Sequence, residues 1–361
     1  MSKYYSLNTI NKKDATYNVI FGERSNGKTY ALLKQGVTNF IKTGGQMAYV
    51  RRWKEDITGR RASQLFTSLC ANGEIEKLTD GKFTGINYWA GKFYLCNYDD
   101  NKKAIFSDMD IICFTFALSD GEHDKSTSFP NITTVVFDEF LTNKIYLQDE
   151  FVMFMNTVST IVRKRDNVKI YMLGNTVNKY CPYFLEMGLE HIAKQKQGTI
   201  DVYRYGESKL IVAVEYCASV QDKNSPTVNK YFAFNNPKLE MITGGAWELA
   251  IYPHLPYKYK PNNILLTYYI EFNDNIYQCE IINIDDIYFT YIHAKTTPIK
   301  CPDDFIIYSM EYNPKNNYNR NIFNPLNKVQ TRIAWFYKNN RVFYQNNNIG
   351  DAIKNFLKVS S

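Results

Sequence analysis

Read for hydrophobicity alone, the first 180 residues alternate between two rhythms. Short, nearly continuous apolar runs occur at 17–22 (YNVIFG), 46–51 (QMAYVR), 109–116 (MDIICFTF), 132–138 (ITTVVFD) and 168–173 (VKIYML). Runs of this kind predict strands buried on both faces of a parallel sheet. Other stretches carry apolar residues at helical spacing: TYALLKQGVTNFIKTGG after the first run, closing on Gly44-Gly45, and LQDEFVMFMNTVSTIVRKR between the fourth and fifth. Strand and helix in alternation predict an α/β fold, a mostly parallel sheet with helices on both faces. The stretch 84–98, TGINYWAGKFYLCNY, departs from that rhythm and predicts a hairpin turning at Ala90-Gly91.

Beyond residue 200 the texture changes. TIDVYRYG and SKLIVAVEYCASV predict antiparallel strands, the polar QDKNSPTVNK follows, and 201–252 reads as a connecting segment after a first domain at 1–200. The Pro-rich PHLPYKYKPNN (253–263) opens a second, smaller α+β domain at 253–361. There ILLTYYIEF, a turn at Asn273-Asp274, IYQCEIINI and IYFTYIHA predict three antiparallel strands, and RVFYQ and GDAIKNFLK a short strand and a helix.

Composition narrows the class. A chain of 361 residues has room for two domains, and 45% hydrophobic with 22% charged residues is the balance of a soluble globular protein. No apolar run approaches a membrane-spanning length and the polar start MSKYYSLNTINKK is no signal peptide, so no membrane partner is expected. Seven cysteines (70, 96, 113, 181, 217, 279, 301) form no C-x-x-C and have no nearby histidine pair, which argues against a zinc site and a disulfide framework. The net charge of +7 is unevenly placed: residues 1–311 hold 35 basic and 35 acidic side chains, and from Tyr312 onward there are eight basic residues and one acid, Asp351. Such a tail, interleaved with Tyr, Phe and Trp, suits a polyanion or an acidic protein rim; it is equally the pattern of a solvated surface.

The chemistry begins where the first apolar run ends. Gly22-x-x-x-x-Gly27-Lys28-Thr29 has the spacing of a phosphate-binding loop between a strand and a helix. Gly22 and Gly27 permit backbone angles that most side chains forbid, and Gly22, Ser25, Asn26, Gly27, Lys28 and Thr29 are the expected contacts to ATP. Lys28 supplies charge for the terminal phosphates and the Thr29 hydroxyl a ligand for Mg²⁺. The run TTVVFDEF then ends in Asp138-Glu139, the form of a Walker B strand: Asp138 would support Mg²⁺ and Glu139 act as general base on the attacking water.

Three further clusters carry two readings each. At the end of KIYMLGNTVN, Asn175 and Thr176 stand where a sensor of the γ-phosphate would be, and both also favour strand-end turns. In IVRKRDN, Arg163, Lys164 and Arg165 fit an arginine finger donated to a neighbouring subunit, or charge complementing a helix C-terminus; Arg24, inside the loop, has the same two sides, finger or solvent-facing residue. In YVRRWKEDITGRR, Arg51, Arg52, Lys54, Arg60 and Arg61 around Trp53 suit phosphate contacts with DNA, or a solvated face softened by Glu55 and Asp56.

A Walker A loop with an internal arginine, VRR after the second strand, FDEF, the RKR helix end and LGNTVNKYCPYF occur in this order. Over residues 1–190 the chain thereby resembles the DNA-packaging ATPases (encapsidation proteins) of small podoviruses, relatives of the large terminases. The resemblance implies an ASCE-type P-loop ATPase in a homomeric ring, a pentamer, docked on the portal of a prohead in the host cytoplasm and driving double-stranded DNA inward. It also implies Arg163 or Arg165 as the trans finger and a DNA contact at Lys54, beside which the basic cluster offers Arg60 and Arg61, with a structural RNA as a further partner and an RNase H-like second domain. An aspartate expected of a nuclease in the middle of the first strand of that domain is replaced by Tyr268-Tyr269. The alternatives are a terminase-like enzyme that also cuts DNA, a nucleotide-gated DNA-binding protein with little turnover, and a small-molecule kinase.

Overall fold

The five apolar runs become strands within two residues of where the pattern puts them. The structure is a computed structural model that describes residues 5–120, 127–142, 146–147, 149–176, 181–218, 252–272 and 275–360. It divides into two compact units, Met1–Glu248 and Leu249–Ser361.

In the first unit the strands are β1 (Tyr17–Gly22), β2 (Gln46–Arg51), β3 (Gly85–Trp89), β4 (Lys92–Tyr98), β5 (Ala104–Ile105), β6 (Ile111–Ala117), β7 (Ile132–Asp138), β8 (Lys169–Asn175), β9 (Thr199–Arg204) and β10 (Ile211–Tyr216). They form one sheet in the order β3-β4-β6-β2-β7-β8-β1-β10-β9, with β5 on β4. From β6 to β10 the neighbours run parallel, and the sheet turns antiparallel at both margins, β4 against β6 and β9 against β10. Strand alternation splits the core into two layers. Val19, Phe21, Val50, Val135 and Phe137 face one layer, where α2 (Glu150–Val162) packs. Ile20, Met47, Tyr49 and Val136 face the other, with Leu32, Leu33 and Val37 of α1 (Lys28–Thr43). Helix α1 stops where expected: Gly44 takes a left-handed φ of 73° and donates its N–H to Phe40 O. The hairpin also turns where expected, with Ala90 at φ 50° and Gly91 at φ 79° joining β3 to β4.

The expected connector at 201–252 needs correction. Its first part completes the sheet of the first unit: β10 pairs parallel with β1, from Tyr17↔Val212 to Phe21↔Tyr216, and β9 closes the edge. An apolar run such as IVAVEY needs a buried partner, and that partner lies far away in sequence. QDKNSPTVNK falls outside the described residues.

The second unit has a sheet of β11 (Ile264–Phe272), β12 (Asn275–Ile284), β13 (Ile287–Lys295), β14 (Ile307–Ser309), β15 (Tyr318–Asn319) and β16 (Val342–Tyr344), in the order β15-β14-β11-β12-β13-β16. The antiparallel meander β11-β12-β13 is as expected; the turn at Asn273-Asp274 lies outside the described residues. β14 joins β11, and β16 joins β13, both parallel. Two helices flank β16 in sequence, α3 (Lys328–Lys338), capped by the Asn327 side chain, and α4 (Asn347–Val359), capped by Asn346. Helix α3 was not expected. It buries Ile333, Ala334, Phe336 and Tyr337, and the Tyr337 hydroxyl meets that of buried Tyr268 at 2.9 Å. Among the described residues no helix is long and apolar enough to cross a membrane.

Candidate active site

The loop between β1 and α1 is shaped by its two glycines for different reasons. Gly27 takes φ 93°, a left-handed angle that favours glycine. Gly22 does not; a Cβ there would come within 2.8 Å of Cys217 Cβ, which packs against the end of β1. The expectation of special angles at both glycines is therefore corrected to close approach at Gly22. With Gly27 as its N-cap, α1 has no side-chain cap and no acid in its first turn, so its positive end is open to an anion.

Lys28 opens α1, buried, with Nζ donating to Glu23 O (2.6 Å) and Asn26 Oδ1 (3.1 Å) and lying 3.5 Å from Asn175 Oδ1. Burial pulls its ammonium below the ordinary lysine value, against the opposing pull of Cys217, Asp138 and Glu23. The Thr29 hydroxyl donates to Asp138 Oδ2 at 3.1 Å. The same oxygen accepts from Tyr49 at 2.7 Å, and Asp138 Oδ1 accepts the Glu139 N–H at 3.0 Å. Burial, then the neighbouring Asp138, pushes the Tyr49 phenol well above its ordinary value, so it remains a donor. Ser25, Asn26, Gly27, Lys28, Thr29, Asp138, Glu139, Gly174 and Asn175 thus surround one open cavity of about 230 Å³. A hydroxyl and a carboxylate 3.1 Å apart are hard oxygen donors of the kind Mg²⁺ takes while keeping several waters. The uncapped helix end and Lys28 fit the phosphates beside it.

At the strand ends the polar pairs sort by function. Asn175 faces the cavity, whereas Thr176 is buried and donates its N–H to Gly22 O at 3.0 Å, tying β8 to β1. Glu139 takes φ 59° and its carboxylate meets Arg51 Nη2 at 2.6 Å. Arg51 and Arg52 are accordingly not the DNA-facing residues that the sequence allowed. Arg51 lies on the Tyr49 side of β2, while Arg52 is buried on the opposite side against Glu150, with Nε to Oε2 at 2.7 Å. Lys54, Arg60 and Arg61 remain exposed, Lys54 paired with Asp120 at 2.7 Å and Arg61 with Asp56 at 3.2 Å.

The basic end of α2 also sorts. The Arg165 guanidinium donates to five carbonyls, those of Phe129, Pro130, Ile132, Ile161 and Val162, at 2.6 to 3.2 Å. It holds the end of α2 to the start of β7, and its donors are spent on backbone. As a finger for another subunit Arg165 is therefore corrected to a structural residue. Arg163, the C-cap of α2 at φ 39°, is exposed, and so is Arg24 in the loop. Tyr49, Glu150 and Tyr183 were missed. Period-2 alternation in YVRRW carried a signal for Tyr49 and for the split between Arg51 and Arg52; no local signal pointed to Glu150 or Tyr183.

The family model described as Podovirus DNA encapsidation protein (Gp16) matches residues 1–204. The DNA packaging protein of Bacillus phage phi29 is 30% identical over 192 residues, 52% of this chain and 51% of its own length. That of Bacillus phage B103 is 30% identical over 187 residues, 49% of each. The chain thus spans about half the length of the curated relatives it matches. Among solved structures, the bacteriophage Phi-29 viral genome packaging motor assembly is 20% identical with a TM-score of 0.61, covering 100% of both chains. The Phi-28 gp11 DNA packaging motor is 17% identical with a TM-score of 0.59, covering 100% of this chain and 99% of its own; both likenesses concern the fold. Since the family match runs through more than half of its length, the chain belongs to the podovirus DNA encapsidation protein (Gp16) family.

Proposed function

We propose that this chain is the ATP-hydrolysing motor of viral genome packaging, which drives double-stranded DNA into a prohead. The observation that carries the reading is the meeting of Lys28, Thr29, Asp138, Glu139 and Asn175 around one cavity at the ends of β1, β7 and β8. The position of β8 between β1 and β7 supports the ASCE class, because it sets Asn175 between the phosphate loop and Glu139.

Lys28 binds the terminal phosphates together with the loop from Gly22 to Gly27. Mg²⁺, held by Thr29 and by Asp138 in the position Tyr49 fixes, would draw charge from the leaving phosphate oxygens. Glu139 takes the proton of the attacking water, and Asn175 orients that water or the γ-phosphate. Arg163 is the candidate for donation to a neighbouring subunit of a pentameric ring, with Arg24 as its rival. Lys54, Arg60 and Arg61 contact the DNA backbone. The meander β11-β12-β13 with a fourth strand parallel to β11 supports an RNase H-like second domain. Its basic C-terminal stretch would face the portal or a structural RNA, in the host cytoplasm and transiently on the prohead.

The test is phosphate release by the purified chain with and without long double-stranded DNA, beside Glu139→Gln. DNA-stimulated release that falls by roughly 10²–10⁴-fold in the variant, with ATP still bound, is the expected result. ATP binding without turnover, indifferent to DNA and to Glu139→Gln, would replace the motor with a nucleotide-gated switch.

A further inference from the structure

Arg52 lies outside the cavity and is among the most tightly held side chains near it. Its Nε and Nη2 pair with both oxygens of Glu150, at 2.7 and 2.9 Å. The two side chains are 7% and 0% exposed. Glu150 is itself fixed, accepting from the Tyr183 hydroxyl at 2.8 Å and the Leu147 N–H at 2.7 Å. The Tyr146 ring lies 5.0 Å from the guanidinium carbon. Two of the three remaining donors go to consecutive backbone carbonyls, Nη1 to Glu139 O at 3.2 Å and Nη2 to Phe140 O at 2.8 Å.

Those carbonyls belong to the turn that carries the base. Glu139 sits at φ 59°, in the left-handed region that costs a residue with a Cβ about 1–2 kcal/mol. Three sets of bonds hold the turn there. Asp138 Oδ1 accepts the Glu139 N–H at 3.0 Å, the Phe140 N–H donates to Leu173 O at 3.1 Å, and Arg52 takes both carbonyls. We infer that Arg52, anchored by Glu150 and Tyr183, is a positioning residue that fixes the backbone of Glu139 so that its carboxylate stands over the cavity. This rests on Glu139 being the base. A purely structural role for the pair is a weaker account, since a buried ion pair is often replaceable by apolar side chains without loss of stability, whereas removing one partner is strongly destabilising.

That contrast supplies the test, made on the purified chain of 361 residues. The double variant Arg52→Met with Glu150→Leu removes both charges together. Arg52→Lys keeps a cation beside Glu150 but cannot span two carbonyls, and it serves if the double variant does not fold. For each, melting temperature, ATP affinity, the kcat and KM of phosphate release, and hydrogen exchange at the Phe140 amide are compared with the unmodified chain. Each variant takes a donor from the Glu139 and Phe140 carbonyls and lowers the melting temperature. Positioning predicts a near-unchanged ATP affinity and KM in the folded protein. It also predicts kcat down by roughly a hundredfold and Phe140 exchange faster by at least about tenfold. Variants that keep kcat and Phe140 protection at the unmodified level overturn the inference. If the unmodified chain itself releases no phosphate, the reading of the function fails, and exchange at Phe140 alone decides whether Arg52 holds the turn.

Discussion

Arg51 Nη2 lies 2.6 Å from Glu139 Oε2, joining the end of β2 to the residue that follows β7. The next residue along, Arg52, holds the Glu139 carbonyl from the other side of the sheet. Two consecutive arginines therefore grip one residue, the first by its carboxylate and the second by its backbone. Alternation along β2 makes this possible, because neighbouring side chains leave the strand on opposite faces. The outcome is a carboxylate 56% exposed on a backbone that is fixed.

Arg51→Gln should separate positioning from stability. Burial opposes the Arg51 charge, but Tyr49, Glu139 and Asp138 outweigh it and hold the guanidinium above its ordinary value. With Glu139 more than half exposed, the ion pair contributes under about 1 kcal/mol to stability. The variant should melt close to the unmodified chain, bind ATP equally well, and release phosphate roughly ten- to a hundredfold more slowly. Melting, nucleotide titration and steady-state phosphate release check the three statements.

Arg163 and Arg165 should part company under the same substitution. Arg165→Ala leaves five carbonyls without their donor and should lower stability by about 2 kcal/mol. Any lost turnover would then follow from lost folded protein. Arg163→Ala should leave the melting temperature alone and, if the residue crosses to a neighbour, lower turnover of the assembled chain by roughly 10³-fold. An Arg165→Ala variant that melts normally and fails to hydrolyse would return the finger to Arg165.

How much of this could be read in the sequence depended on whether the relevant partner was local. The strand, loop and helix from Tyr17 to Gly44 were legible because each signal lies within a few residues of the next. The meeting of Asp138, Glu139 and Asn175 at one cavity was legible because parallel strands deliver their C-terminal ends to one edge of the sheet. The pairing of β10 with β1 was not, since an apolar run announces burial without naming its neighbour. Nor was the ion pair of Arg52 with Glu150, 98 positions apart. Arg163 and Arg165 look alike in RKR, and only the carbonyls around Arg165 tell them apart. Helix α3 was missed because KVQTRIAWFYK crowds aromatic residues that favour strands as readily as helices.

The hairpin turn offers a gain in stability. Ala90 and Gly91 both take positive φ, as a two-residue turn of this hand requires, yet alanine is poorly suited to the first position. Ala90→Asn would place the preferred Asn-Gly pair there and should raise stability by roughly 0.5–1 kcal/mol with turnover unchanged. Denaturant midpoints measure it; a lower midpoint would mean that the alanine methyl matters more than the turn.

Lys28 gives the site a pH dependence of defined sign. Burial holds its folded value below the ordinary lysine value, so the unfolded chain binds this proton more tightly than the folded chain does. Between the two values the unfolded state carries more protons, and the contribution of Lys28 to stability rises with pH. Phosphate binding has the opposite demand, because it needs the ammonium. As pH rises through the folded value, ATP affinity should fall and binding should take up a proton, while the nucleotide-free chain gains stability from the same group. Melting curves from pH 7 upward, with and without ATP, should therefore converge, the nucleotide-dependent increment shrinking as the pH rises. Lys28→Met should abolish that increment at every pH. An increment that persists unchanged to alkaline pH would mean that Lys28 keeps its proton throughout, and that its three close acceptors, Glu23 O, Asn26 Oδ1 and Asn175 Oδ1, outweigh its burial.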